Sequence, residues 1–414
     1  MNILLFARAA TSENPSMCPF ITRRVFELQQ QGHRVTVLQS GNLEIKNHFS
    51  TERKGILRLV TILYKMLRLL YHLISNCQRV YRSEEGTFTY YDRLSFRSYK
   101  SFYKWYKKND FDLIHAHFIW YSKPLPFLKK LFGIPYVVTV HGSDMHKLTP
   151  YDRNDVKEML EVLDCADCCI FVSQFLLSHA RSLGFTGCKN RIIYNGINFS
   201  YFYPGKEKNG VVPLLGFVGH PNFIKRAYIL PMVLRLVRQK IPGARMLLLG
   251  SEQDDLLPFI KFMAWKLELA DCIDFVPAVP PEQVAEYMRK IDVLLLPSHN
   301  EGFPCVTIEA QACGIGVVAS ANGGIPEAVG KNGICVPESE NFIKDFSDAV
   351  VRYLSVSHDA SQITRRVKDF SWENCVKKEI DVYSTVINNG GGYNTLADSK
   401  YALACHANSV TEAA

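Results

Sequence analysis

The sequence predicts an α/β protein of two doubly wound domains facing each other across a cleft. Three observations carry this. Twelve short apolar runs, six in each half, alternate with helix-length amphipathic segments, the pattern of parallel sheets wrapped by helices. The 414 residues suffice for two sizeable cores. Apolar residues make up 47% and charged residues 21%, the balance of an ordinary globular enzyme.

In chain order, strands are expected at 2–6, 34–38, 113–116, 136–140, 169–172 and 191–194, then at 214–218, 245–249, 272–276, 293–296, 316–319 and 334–336. Residues 1–6 are too short for the apolar region of a secretion signal and run into polar Thr11, Ser12, Glu13 and Asn14, so a buried first strand is expected. Residues 195–210 read as the connection between domains, with turns at Pro204-Gly205 and Asn209-Gly210. The division is then 1–200 and 201–370, with a last helix over 371–389 crossing back to the first domain and a flexible tail over 390–414.

Twelve scattered cysteines lack the spacing of a disulfide framework, which suits a reducing cytoplasm. The cluster Cys165-Ala166-Asp167-Cys168-Cys169 runs directly into an apolar strand, with no second pair at zinc spacing. Buried structural thiols are expected there, and no metal.

Charge is uneven: residues 1–205 carry +11 and the remainder −3. That excess points to an anionic partner, and no nucleic-acid reading motif accompanies it. Within 53–74, Lys54, Arg58, Lys65, Arg68 and His72 recur at helical steps on an otherwise apolar segment. Repeated cations argue against a span and for a helix lying on an anionic membrane surface. A cytoplasmic protein, peripheral on the inner face of the cell membrane, is therefore expected.

The chemistry concentrates after the strand at 293–296. There Glu301-Gly302-Phe303-Pro304 forms a loop, and Cys305-Val306 begins a helix that carries Glu309 and ends at Gly314. Pro304 suits the first helical position and Gly314 the C-terminal cap. The free amides near Phe303–Val306 would hold a diphosphate at the positive end of that helix. Glu309, one or two turns along, could accept both hydroxyls of a ribose, and Glu301 could reach those of a sugar. Lys225 and Arg226 precede the amphipathic segment 227–240; two cations at a helix N-terminus are unfavourable unless an anion joins them.

Pro297-Ser298-x-x-Glu301-Gly302-Phe303-Pro304, with Glu309-Ala310-x-Ala312-Cys313-Gly314 and Gly323-Gly324-Ile325-Pro326-Glu327, closely resembles the family 4 glycosyltransferases and their Glu-x7-Glu motif. The resemblance covers residues 2–388. It includes Asn14-Pro15, Gly32-His33-Arg34-Val35, His141-Gly142-Ser143-Asp144 and Asn195-Gly196-Ile197-Asn198. The run Gly219-His220-Pro221-Asn222-Phe223-Ile224-Lys225-Arg226 falls where the family places a phosphate-binding Arg and Lys, and is similar to members that build bacterial cell-surface polysaccharides, such as teichuronic-acid transferases. The resemblance implies a GT-B fold of two Rossmann-like domains. It implies retaining, metal-independent transfer of a hexose-type sugar from a nucleotide sugar to a glycan or lipid-linked glycan, with no cofactor.

By that resemblance Glu301, His141 and Lys225 are the catalytic group. Glu309, Arg226, His220, Gly302, Phe303, Pro304, Cys305 and Val306 bind the donor, and Asp144 contacts the acceptor. His115 and His117 flank another strand end. His220 stands where the family has Arg, Asn198 replaces Asp, Pro277 replaces Gly, and Gly316 replaces Pro. The loop 8–19 lacks the glycine many relatives use near the diphosphate. Three rival readings exist. Asp110-Phe111-Asp112 offers a metal-binding Asp-x-Asp, but it leads into a strand as an entry cap. An epimerase or phosphorylase of similar shape is disfavoured by the glutamate motif. A non-catalytic membrane-bound relative is disfavoured by intact Glu301, Glu309 and Lys225.

Overall fold

The computed structural model describes residues 1–7, 19–38, 82–83, 86–87, 96–145, 152–205, 212–250 and 256–390. It divides into two compact units, residues 1–38 with 111–414, and residues 39–110. The loop 8–18, the stripe 53–74, the turn region 206–211 and the tail 391–414 lie outside the described residues.

The larger unit holds two six-stranded sheets. The first comprises β1 (Asn2–Phe6), β2 (Arg34–Leu38), β5 (Leu113–His117), β6 (Tyr136–Val140), β7 (Cys168–Phe171) and β8 (Asn190–Ile192), in the order β2-β1-β5-β6-β7-β8. The second comprises β9 (Leu214–Val218), β10 (Arg245–Leu249), β11 (Ile273–Val276), β12 (Val293–Leu296), β13 (Gly316–Ser320) and β14 (Gly333–Val336), in the order β11-β10-β9-β12-β13-β14. Every pairing is parallel. Central strands such as β1, β5 and β6 are buried at every position, because helices cover both faces. β1 reads as an unbroken apolar run for that reason, whereas β5 buries His115 and His117 and β6 buries Thr139. All twelve expected strands are present, with ends shifted by one or two residues. β8 ends at Ile192, although Ile193 N–H still donates to Phe171 O at 3.0 Å.

The expected helix over 227–240 is shorter. A 3-10 turn at Ala227–Ile229 leads into an α-helix at Leu230–Arg238. Pro231 sits in its first turn, where its missing N–H costs nothing. Pro304 is the N-cap of the helix Cys305–Ala312 rather than its first residue, and Gly314 follows with φ of 77°.

The last helix, Trp372–Gly390, crosses back to the first sheet. Its Trp372, Val376, Tyr383 and Val386 share one core with Ile3, Leu28, Leu113 and Val137. The two chain crossings also pair with each other: Ile197 N–H donates to Phe370 O at 2.6 Å, and Trp372 N–H to Ile197 O at 3.4 Å. Gly196 is required there, since a Cβ would run into Trp372. The smaller unit contains the antiparallel pair β3 (Arg82–Ser83) and β4 (Gly86–Thr87) and a helix at Phe96–Lys108, none of which the sequence reading anticipated.

Candidate active site at the two switch points

Strand order reverses between β1 and β5 in the first sheet, and between β9 and β12 in the second. Ligands of open parallel sheets bind outside the carboxyl ends of strands at such points. The loops that leave β9 and β12 carry Lys225 and Glu301, and those that leave β5 and β6 carry Phe118 and His141.

In the second sheet Lys225 Nζ donates to Glu301 Oε1 at 2.7 Å, both side chains about four-fifths covered (21% and 19% exposed). The pair is braced from below. Gly219 (φ 144°) lets the Lys225 stem lie close, His299 N–H donates to Ile224 O at 2.7 Å, and Gly324 N–H donates to Glu301 O at 2.8 Å. A Cβ at Gly323 or Gly324 would strike the Asn300–Gly302 loop, so the Gly-Gly pair supports the glutamate's backbone. Burial pushes the Glu309 carboxyl up to about 7, and the Lys225 ammonium opposes that rise. No side chain caps the helix Cys305–Ala312. Its positive end thus remains available beside Lys225. Burial also pushes the Cys305 thiol up to about 12, with Glu309 adding to it, so this cysteine offers no thiolate at neutral pH.

Arg226 departs from the expectation that only a bound anion would offset its charge. Its guanidinium forks onto Glu338, with contacts of 2.5 and 3.0 Å, donates to Pro297 O, and lies 4.2 Å from the Phe342 ring. Its backbone is left-handed, φ 50°. A carboxylate 112 residues away supplies the counter-charge. His220 is exposed.

In the first sheet Asp144 is buried with both oxygens in use. Oδ1 accepts from Gly142 N–H at 2.8 Å and Oδ2 from Ile119 N–H at 2.9 Å. Burial lifts it to about 6 against those hydrogen bonds. Asp144 thereby ties two strand-end loops together. His141 lies between Phe20 and Phe118, ring centroids 4.8 and 4.6 Å away. Its Nε2 shares a 2.9 Å hydrogen bond with His117 Nδ1. Phe118 is held at φ 70°, a backbone strain of about 1–3 kcal/mol that persists only where surroundings enforce it.

The two halves meet at these loops. A Cβ at Gly302 would run into the His141 carbonyl, so only glycine allows Glu301 to approach the first sheet this closely. Glu327, at the end of the Gly-Gly motif, accepts from Gln174 N–H at 2.9 and 3.0 Å and from Tyr194 O–H at 2.7 Å. It thereby caps the helix Gln174–Ser182 of the first half. Sequence reasoning gave no role to Glu327, Tyr194 or Glu338, and placed His117 only at a strand end. The Gly-Gly-Ile-Pro-Glu string was the one signal for Glu327; nothing local marked Glu338. Cys168 and Cys169 are buried, with thiols pushed up by burial. Among the described residues no three His, Cys, Asp or Glu side chains gather as metal ligands would.

Two doubly wound parallel sheets with facing strand-end loops define the GT-B architecture. The model of the Glycosyltransferase Family 4 domain matches residues 21–201, and that of Glycosyl transferases group 1 matches residues 212–355. The chain thus carries a Glycosyltransferase Family 4 domain followed by a Glycosyl transferases group 1 domain. It is 28% identical over 268 residues to the D-inositol 3-phosphate glycosyltransferase of Corynebacterium jeikeium, covering 58% of this chain and 63% of that protein. It is 31% identical over 236 residues to the enzyme of that name from Segniliparus rotundus, covering 52% of each. The matched stretch thus spans little more than half the length of these relatives. Among solved structures, sucrose-phosphate synthase from Thermosynechococcus elongatus superposes with a TM-score of 0.67 at 18% identity, over 94% of this chain and all of that one. Anabaena HepE in complex with UDP superposes with a TM-score of 0.67 at 16% identity, over 93% of this chain and all of that one.

Proposed function

We propose that the protein transfers a hexose-type sugar from a nucleoside diphosphate sugar to a hydroxyl of a glycan, retaining the anomeric configuration and using no metal. The observation that supports this best is the Lys225–Glu301 pair at 2.7 Å, beside a Glu309 carboxyl held near 7, at the second sheet's switch point. In this reading the diphosphate lies against Lys225 and the amides of Phe303, Cys305 and Val306, with Pro304 and Gly302 shaping the turn. Arg226 and His220 stand at its rim. Glu309 accepts the ribose hydroxyls. Glu301, sharing Lys225 with the diphosphate, holds hydroxyls of the sugar, and His141 faces it from the first half. The acceptor oxygen attacks C1 from the leaving-group side, the C1–phosphate oxygen bond breaks, and the acceptor's proton passes to that departing oxygen. Lys225 and the helix amides neutralise the charge that develops there, where such a site gains most rate. Residues 1–200 present the acceptor and 201–370 the donor; Asp144 serves the acceptor side by holding its loop.

The acceptor is read as a lipid-linked glycan of surface-polysaccharide synthesis, since the +11 first half and the cation stripe 53–74 suit the inner face of an anionic membrane. The relatives named for D-inositol 3-phosphate support a second acceptor class, a soluble phosphorylated polyol. A panel of UDP- and GDP-sugars, offered with an acceptor of each class, tests both. Nucleoside diphosphate release with a product of unchanged anomeric configuration, in excess chelator, is the expected result. No release from any donor overturns the reading, inverted product overturns retention, and activity lost to chelator but restored by magnesium or manganese overturns metal independence.

A further inference from the structure

We propose that His117 is a positioning residue: its Nδ1–H donates to Nε2 of His141, fixing His141 as the tautomer whose Nδ1–H is free to donate to a ligand oxygen. The proposal rests on the reading above that the His141 strand end belongs to the transfer site. The two rings come from adjacent strands of the first sheet and share a 2.9 Å hydrogen bond. Burial holds both pKa values well below the usual imidazole range, with the Arg24 charge adding to it, so both rings are neutral and each carries one N–H. One of those hydrogens lies in the shared bond. The two outer nitrogens, Nε2 of His117 and Nδ1 of His141, are both buried without a partner. One of them must be an N–H and the other a bare lone pair.

The choice between the two arrangements follows from what surrounds each ring. A buried N–H without an acceptor is costlier than a bare lone pair. His117 has no exposed surface, and His115 packs against it with ring centroids 4.2 Å apart. His115 offers it nothing, because both of its own nitrogens are engaged. Tyr383 O–H donates to Glu379 Oε2 at 3.3 Å, so the phenol oxygen accepts from His115 Nδ1–H at 2.6 Å, and His115 Nε2 accepts from the Thr139 hydroxyl at 2.7 Å. An N–H at His117 Nε2 would therefore stay unpaired in every state. As a residue His141 is only part-buried, whereas His117 is wholly so, and it stands at the strand end whose backbone carbonyl Gly302 approaches. An orphan N–H there is relieved when a ligand oxygen arrives. Phe20 and the strained Phe118 hold the ring in place for it.

Nitrogen-15 NMR of histidine-labelled protein decides the tautomer without any sugar transfer, so its outcome is separate from that of the assigned reaction. In the ligand-free wild type, His141 is expected to show a hydrogen-bearing Nδ1 and a bare Nε2. His117→Asn keeps an amide N–H near the place of Nδ1 and should leave that signature, with turnover within about threefold. His117→Leu removes the donor; the His141 hydrogen should move to Nε2, and kcat should fall roughly ten- to hundredfold with donor KM little changed. A bare Nδ1 on His141 in the wild type overturns the proposal. So does an unchanged signature in His117→Leu, or an Asn variant as impaired as the Leu variant. Should the Leu variant fail to fold, the wild-type and Asn signatures still decide.

Discussion

Burial, opposed only by the Lys225 ammonium, raises the Glu309 carboxyl to about 7. A ribose hydroxyl donates its hydrogen, so the form that binds donor is the carboxylate. Below about 7 the free protein must first lose a proton from Glu309. Donor affinity should then fall by about tenfold per pH unit as pH drops from 7 towards the pKa of the bound state. The same titration in Glu309→Gln should be flat, with weaker binding at pH 8. Calorimetry in two buffers of different ionisation enthalpy checks both points, since wild type should release a proton on binding at pH 6.5. Glu301→Gln should behave differently. It leaves the diphosphate and ribose contacts alone, so donor KM should change little while kcat falls by about ten- to hundredfold, the worth of one charge-assisted contact. Lys225→Ala should lose more than either, because it also leaves Glu301 and Glu309 as like charges near the diphosphate. Steady-state kinetics that found Lys225→Ala near wild type would remove charge neutralisation from this residue.

Single side chains on short elements bring the two halves together. Glu327 sits on the five-residue helix Ile325–Val329 and caps the helix Gln174–Ser182, adding its charge to that helix's positive end. Arg366 holds the other side of the same element, donating to Glu327 O at 2.7 Å and to Ala328 O at 2.8 Å. Glu327→Ala should therefore loosen the approach of Glu301 to His141 without touching either. Turnover should fall severalfold, and small-angle scattering should show a larger radius of gyration, while Glu327→Gln, which still accepts one hydrogen bond, should lie between. Unchanged scattering in the alanine variant would make Glu327 a local cap only. This contact also marks where sequence reading stops. Parallel strands were legible because continuous burial writes itself as continuous apolar runs, and the Glu301/Glu309 loop was legible because a strand, a loop and a helix start are all local. Pairings such as Arg226–Glu338, Asp144 with Ile119 N–H, and His117–His141 join elements that only the assembled sheet brings together. Charge pattern gave Arg226 an anion without saying that the protein itself supplies one.

Over the whole molecule, the returning helix Trp372–Gly390 commits the chain to its closed path, and its deepest anchor is ionic. Arg24 Nε donates to both oxygens of Glu379 at 2.8 and 3.0 Å, and neither side chain has any exposed surface. The two terminal nitrogens of Arg24 are buried without a partner, so the desolvation of the guanidinium is only partly recovered. Pairs of this kind are costly to break and cheap to replace. Glu379→Leu leaves Arg24 as an uncompensated buried cation and should destabilise by about 3–5 kcal/mol in urea unfolding. The double variant Arg24→Met with Glu379→Leu removes the unpaired charge and should recover most of that loss, as apolar packing against Trp372 and Tyr383 replaces the ion pair. Recovery of fold should not mean recovery of function. Tyr383 would lose its acceptor in Glu379, its hydroxyl would be free to donate to His115, and the tautomer of His115 that now needs the phenol oxygen would no longer be enforced. The double variant should thus unfold near the wild-type midpoint while showing altered nitrogen-15 resonances for His115 and, through the stacked rings, for His117. A double variant as unstable as the single one would show that Arg24 and Glu379 hold the crossover through something other than their mutual charge.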